Sequence, residues 1–164
     1  MSCYELVKEF KRKYKWTVAW RLFPNANVID RHVNPDEEVK YAFVGQKNEG
    51  PFDLFETCAV AITDKRLLIG QKRVLFGYVL NSITPDLYND MQVYEGLIWG
   101  KLVIDTVKEN IVISNLSKAS LVELETQVST FMMEAKRKCV HTNEEDMWFY
   151  LLVLTKNHFF HIVY

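Results

Sequence analysis

The sequence predicts a mainly β domain with flanking helices, in which a small antiparallel barrel or sandwich is closed by one amphipathic helix. Three observations carry that expectation. From Glu38 the hydrophobic pattern has a period of two, the apolar runs are joined by hairpin-sized connections, and after Ser117 an apolar stripe returns at helical spacing. With 164 residues, 49% of them hydrophobic and 25% charged, the chain can build one core and has little room for a second.

Tyr4, Val7, Phe10 and Tyr14 recur at helical spacing between basic residues, so residues 3–14 are predicted to be a short amphipathic helix. A second helical turn is predicted from Asn25 to Val33 and is broken by Asn34-Pro35, because the residue before proline is pushed out of the α region. Alternation then marks strands at Val39–Val44 and Cys58–Ile62. Thr63-Asp64-Lys65-Arg66 is a hairpin turn into Leu67–Ile69. Gly70-Gln71-Lys72 is expected to reverse the chain into Val74–Leu80, with Gly70 and Gly77 as turn or bulge glycines. Strands at Gln92–Gly96, Leu97–Asp105 and Asn110–Ser114 bring the total to seven.

Leu121, Leu124, Val128, Phe131 and Met132 share one face of a helix predicted over residues 117–138, and Ser120 with Glu123 fits a capping box at its start. That stripe must be buried, and an open end of the barrel is the nearest apolar surface. The expected organisation is a helical extension over 1–34, the barrel with its capping helix over 35–138, and a divergent hydrophobic tail over 139–164. The tail reads either as an extra hairpin turning near Thr155–Asn157 or as an apolar surface for self-association or membrane contact. Its run Met147–Leu154 is too short to span a bilayer as a helix.

The net charge of −1 lacks the basic excess expected of a nucleic-acid binder, so no nucleic-acid partner is expected. The charge is uneven: residues 1–34 carry 7 basic and 3 acidic side chains, and residues 35–116 carry 8 and 12. Met1 to Tyr14 interleaves charged and apolar residues where a secretory signal needs a continuous apolar run, which predicts a cytoplasmic protein. Cys3, Cys58 and Cys139 read as reduced thiols, with Cys58 in the core.

Several stretches carry a family resemblance: Val60-Ala61-Ile62-Thr63-Asp64-Lys65-Arg66-Leu67-Leu68-Ile69, Phe76-Gly77, Ser82-Ile83, Gly96-Leu97-Ile98-Trp99-Gly100-Lys101-Leu102 and Ile111-Val112-Ile113-Ser114-Asn115-Leu116. With the order of seven strands and then one helix, they resemble a bacterial pleckstrin-homology-like domain from about Asp36 to Lys138. The resemblance implies a seven-stranded, half-open antiparallel barrel that docks proteins, peptides or lipid headgroups without a cofactor. Eukaryotic relatives that hold phosphoinositides cluster Lys and Arg around the first hairpin. Here Gln46 to Glu56 offers only Lys47 against Glu49, Asp53 and Glu56, which argues against that pocket.

Two groups of residues are the candidate sites. Lys65, Arg66, Lys72 and Arg73, with Lys47 and Lys101, are candidates for an anion-binding patch. Lys8, Lys11, Arg12 and Lys15 with Trp16 and Trp20 are candidates for contact with an anionic membrane on its inner face. Catalytic motifs are absent, so no enzyme is expected. Cys139, His141, His158 and His161 lack the spacing of a zinc knuckle, and no metal site is expected. The sequence therefore points to a non-enzymatic binding module for a protein or peptide, with the membrane adaptor as the alternative.

Overall fold

The computed structural model describes residues 1–47 and 56–138. Two helices, α1 (Cys3–Lys13) and α2 (Leu22–Asp30), precede seven strands: β1 (Val39–Gln46), β2 (Thr57–Thr63), β3 (Leu67–Lys72), β4 (Tyr78–Ile83), β5 (Tyr88–Glu95), β6 (Trp99–Thr106) and β7 (Asn110–Ser117). A 3-10 turn, Lys118–Ser120, leads into a helix over residues 121–138, here α3. The predicted tail hairpin, the run Met147–Leu154, and Cys139, His141, His158 and His161 lie outside the described residues.

The strands follow the order β4-β3-β2-β1-β7-β6-β5, every neighbour antiparallel, which leaves β4 and β5 as the two edges of a half-open barrel. Its two halves meet where Gln46 stands opposite Ser114. All seven residues of β2 are buried, because structure covers both faces of the strand. The core joins Phe43, Val60 and Leu67 to Leu102, Ile104 and Ile113, and Leu121, Leu124, Val128 and Met132 of α3 complete it. Four of the five side chains of the predicted helical stripe are thus fully buried, and Phe131 packs at the margin.

The N-terminal helices belong to the same core. Val7 and Phe10 of α1 are buried, with the Phe10 ring centroid 5.9 Å from that of Phe43. The Cys3 backbone N–H donates to Asp30 Oδ1 at 2.7 Å and ties α1 to the end of α2. Helix α2 starts three residues earlier than the sequence suggests. Pro24 is its third residue, in the first turn, where a missing N–H breaks no helical hydrogen bond.

Three local expectations need correction. Gly70 is not a turn residue: it lies within β3 opposite Ala59, and a Cβ there would come 2.7 Å from Ile29 Cγ1. The small residue lets α2 approach the sheet, and the reversal falls later, between Arg73 and Gly77. Gly77 is the turn glycine, with φ +77°. The expected strand Val74–Leu80 accordingly begins at Tyr78. Ser120 and Glu123 form no capping box: the Ser120 hydroxyl donates to the Ser117 carbonyl at 2.7 Å, while Glu123 accepts hydrogen bonds from Lys13, Tyr14 and Tyr41. Burial alone would raise the Glu123 carboxyl, but these three donors hold it below the usual carboxylate range. One side chain thus fastens α3 to α1 and β1.

Candidate functional site

Residues 14–21 link α1 to α2 and run across the ends of the strands, held by a line of hydrogen bonds. The Trp16 carbonyl accepts from Trp99 Nε1 at 2.8 Å, and Thr17 Oγ1 accepts from the Ser117 N–H at 3.0 Å. The Val18 N–H donates to the Asn115 carbonyl at 2.9 Å, while the Val18 carbonyl accepts from Gln46 Nε2 at 3.1 Å. Next, the Trp20 N–H donates to Thr57 Oγ1 at 3.1 Å, and the Arg21 guanidinium donates to the Lys72 and Arg73 carbonyls at 3.2 and 3.4 Å. The linker therefore connects the β5–β6 turn to the β3–β4 turn. Thr17 and Ala19 point inward and are buried, which turns Trp16 and Trp20 out to solvent.

Both turns carry exposed apolar side chains. On β3–β4, Val74, Leu75 and Phe76 are 68%, 83% and 86% exposed; on β5–β6, Leu97 reaches 92% beside Ile98 and Trp99. With Trp16, Trp20, Phe23 and Tyr78, this seam holds ten of the fifteen large apolar side chains exposed among the described residues. Most of the large apolar side chains exposed among the described residues therefore sit on these two turns and the segments beside them.

The two turns differ in shape. Leu97 and Ile98 separate two open hollows of about 460 and 490 Å³: Tyr94, Trp99 and Lys101 border the first, and Trp16, Ser117 and Lys118 the second. Val74 to Phe76 form an exposed tip, where a Cβ placed on the adjoining Gly77 would meet nothing within 4 Å, and a smaller hollow of about 240 Å³ beside its base is lined by Phe23, His32, Lys72 and Tyr78.

The residues of the expected anion patch are spread over the barrel. Lys65 pairs with Asp36, and Arg66 with Glu37, at one end of β3; Lys72 and Arg73 lie at the other. The Lys47 ammonium donates to Asn81 Oδ1 at 3.3 Å, and that of Lys101 lies 4.9 Å from the Tyr94 ring centroid. Arg66 is built into the fold: its Nε and Nη2 each lie 2.9 Å from a Glu37 oxygen, and Nη2 also donates to the His32 carbonyl. Burial would push the Glu37 carboxyl up, but hydrogen bonds from Arg66, Thr63 and the Asn34 N–H, with the Arg66 charge, bring it down to about 2.

Of the expected membrane-contact residues, Lys8 pairs with Glu5 at 2.9 Å, and the Lys11 ammonium donates to the Lys15 and Thr17 carbonyls. Arg12 and Lys15 are exposed. The apolar face of α1 is spent on the core, whereas Trp16 and Trp20 are on the seam. Sequence reasoning missed Arg21, Phe23, Leu75, Phe76, Leu97 and Ile98 as surface residues. The signal was present: Leu97-Ile98-Trp99 is bracketed by Gly96 and Gly100, and Val74-Leu75-Phe76 by Arg73 and Gly77.

The described residues hold no group of three or more His, Cys, Asp or Glu arranged for a metal, and burial raises both described thiols, Cys3 and Cys58, the latter to about 12. No described helix is long and apolar enough to cross a membrane.

The family model described as bacterial PH domain matches residues 33–130, which takes in all seven strands and the first half of α3. The chain belongs to the bacterial PH domain family. Membership agrees with the strand order and the capping helix, and places the protein among binding modules in general. Among solved structures, the pleckstrin homology domain from Shewanella amazonensis SB2B is similar at 15% identity and a TM-score of 0.40, over 63% of this chain and 80% of that one. No curated protein matches the chain significantly.

Proposed function

We propose that this bacterial PH domain is a non-catalytic docking module that takes an apolar segment of a partner protein, flanked by acidic residues, against its β5–β6 turn. The observation that carries this reading is Leu97, 92% exposed between two hollows on a turn whose neighbour Trp99 is anchored to the Trp16 carbonyl. A rigid aromatic beside empty apolar concavities is the arrangement that anchors protein contacts, because little conformational freedom is lost on binding. Hollows of this volume fall in the range that holds a few side chains. Lys101 and Lys118 border the turn against Glu95, which pairs with Lys118, and this net positive margin selects acidic flanks on the partner.

Selection from a random peptide library tests the reading. Enriched peptides are expected to carry two or three apolar residues next to Asp or Glu, to shift tryptophan fluorescence, and to bind the Leu97→Ser/Trp99→Ala variant at least tenfold more weakly. Failure to enrich any sequence, or equal binding by a folded variant, overturns it.

A further inference from the structure

We infer that the β5–β6 turn is regulated by the chain's own tail: residues 144–151, three acids followed by apolar side chains, dock on the two hollows beside Leu97 and compete with other proteins for them. The inference rests on the docking reading above and names a resident occupant for the same site. Glu144-Glu145-Asp146 leads directly into residues 147–154, eight consecutive apolar side chains. Nowhere else in the sequence do three consecutive acids abut an apolar run of that length. Apolar residues next to acids are what hollows bordered by Lys101 and Lys118 select. The Lys101 ammonium has no ion pair with an acid among the described residues and is open to one.

The position of α3 gives the tail the reach it needs. The helix starts at the turn, where the Lys118 N–H donates to the Ile98 carbonyl at 3.1 Å and Leu121 lies against Gly100. It ends beside the first residue of β5, with the Lys136 ammonium 5.3 Å from the Tyr88 ring centroid. A chain leaving Lys138 therefore has one helix length to retrace before it meets the turn again. The 18 residues of α3 cover about 27 Å. An extended chain advances about 3.3 Å per residue, so about eight residues span that length. Residues 139–146 supply them, which puts the acids within reach of Lys101 and Met147 within reach of Leu97. The path runs beside β5, an edge strand whose one neighbour among the described residues is β6. A segment tethered this closely has an effective concentration in the millimolar range, so contacts of modest strength keep the site occupied and an outside partner must displace it.

Disulfide trapping in the full chain tests the inference, with Cys139→Ser removing the nearest natural thiol. Leu97→Cys/Met147→Cys is expected to form an intramolecular disulfide under mild oxidation, in a yield independent of protein concentration and read by mass spectrometry of the digest. Val107→Cys/Met147→Cys, whose first position is exposed just beyond the opposite end of β6, is expected to reach about a tenth of that yield or less. Glu144→Lys/Glu145→Lys/Asp146→Lys is expected to lower the Leu97 yield and to bind a library-selected peptide about tenfold more tightly than the parent chain, because the internal competitor is weakened. Thermal melts confirm that each variant is folded. Equal trapping at Leu97 and Val107, or a disulfide between two chains whose yield rises with concentration, overturns the inference. Peptides selected from the library without trapping at Leu97 remove the tail as occupant and leave the docking reading standing. Trapping at Leu97 with no peptide selected, even by the charge-reversed variant, upholds the internal contact and removes the partner reading.

Discussion

Lys65-Arg66 and Lys72-Arg73 sit at the two ends of β3, identical in sequence and opposite in surroundings. At the first end the chain brings Asp36 and Glu37 from the approach to β1: Glu37 builds Arg66 into the fold, and Asp36 pairs with Lys65 at the surface. At the second it brings Arg21 and Trp20 from the linker, and the cations stand behind three exposed apolar residues. A basic pair is structural or available according to which acids the topology delivers to it. Composition around the pair does not decide the matter.

The sharpest way to break this comparison is Glu37→Ala. It leaves the half-buried Arg66 guanidinium without its carboxylate and is expected to cost about 3–5 kcal/mol in urea unfolding; a loss under about 1 kcal/mol means that the pair is not structural. Acid sharpens the same point. The Glu37 carboxyl is depressed on folding, so its contribution is complete above the unfolded value of about 4.3 and is lost as pH falls toward about 2, a difference of about 3 kcal/mol. In Glu37→Gln that part of the slope between pH 5 and 2, set by the same pair of values, is expected to vanish.

Lys13 extends the comparison to α1, since its charge is taken up by Glu123 as that of Arg66 is by Glu37. Glu123→Gln keeps the shape of the side chain but weakens its bonds from Lys13, Tyr14 and Tyr41. An expected cost of about 1–2 kcal/mol follows, with α3 exchanging its amide hydrogens faster. The smallest effect belongs to the open end: Leu75→Ser is expected to change stability by less than about 0.5 kcal/mol, as measured by thermal unfolding.

Much of the fold was legible because it rests on periodicity. Alternation located the strands, the Thr63–Arg66 hairpin was dictated by its length, and the stripe from Leu121 to Met132 required a covering helix. Gly70 was misread because a glycine opposite Ala59, making room for α2, looks in sequence like a glycine in a turn. The seam was only partly legible. Trp16 and Trp20 stand out, but Val74, Leu75 and Phe76 read as a strand because apolar runs predict burial, and the only local hint of a turn is their bracketing by Arg73 and Gly77. The partners of Lys65 and Arg66 lie nearly thirty residues upstream, a pairing that only the completed barrel makes.

The most direct test neutralises the two pairs side by side, Lys65→Gln/Arg66→Gln against Lys72→Gln/Arg73→Gln, and measures the unfolding free energy of each in urea at neutral pH. The first is expected to lose about 3–5 kcal/mol and the second less than about 0.5 kcal/mol. Equal losses, or a larger loss at the Lys72 end, would contradict the division of β3 into a structural end and an available one.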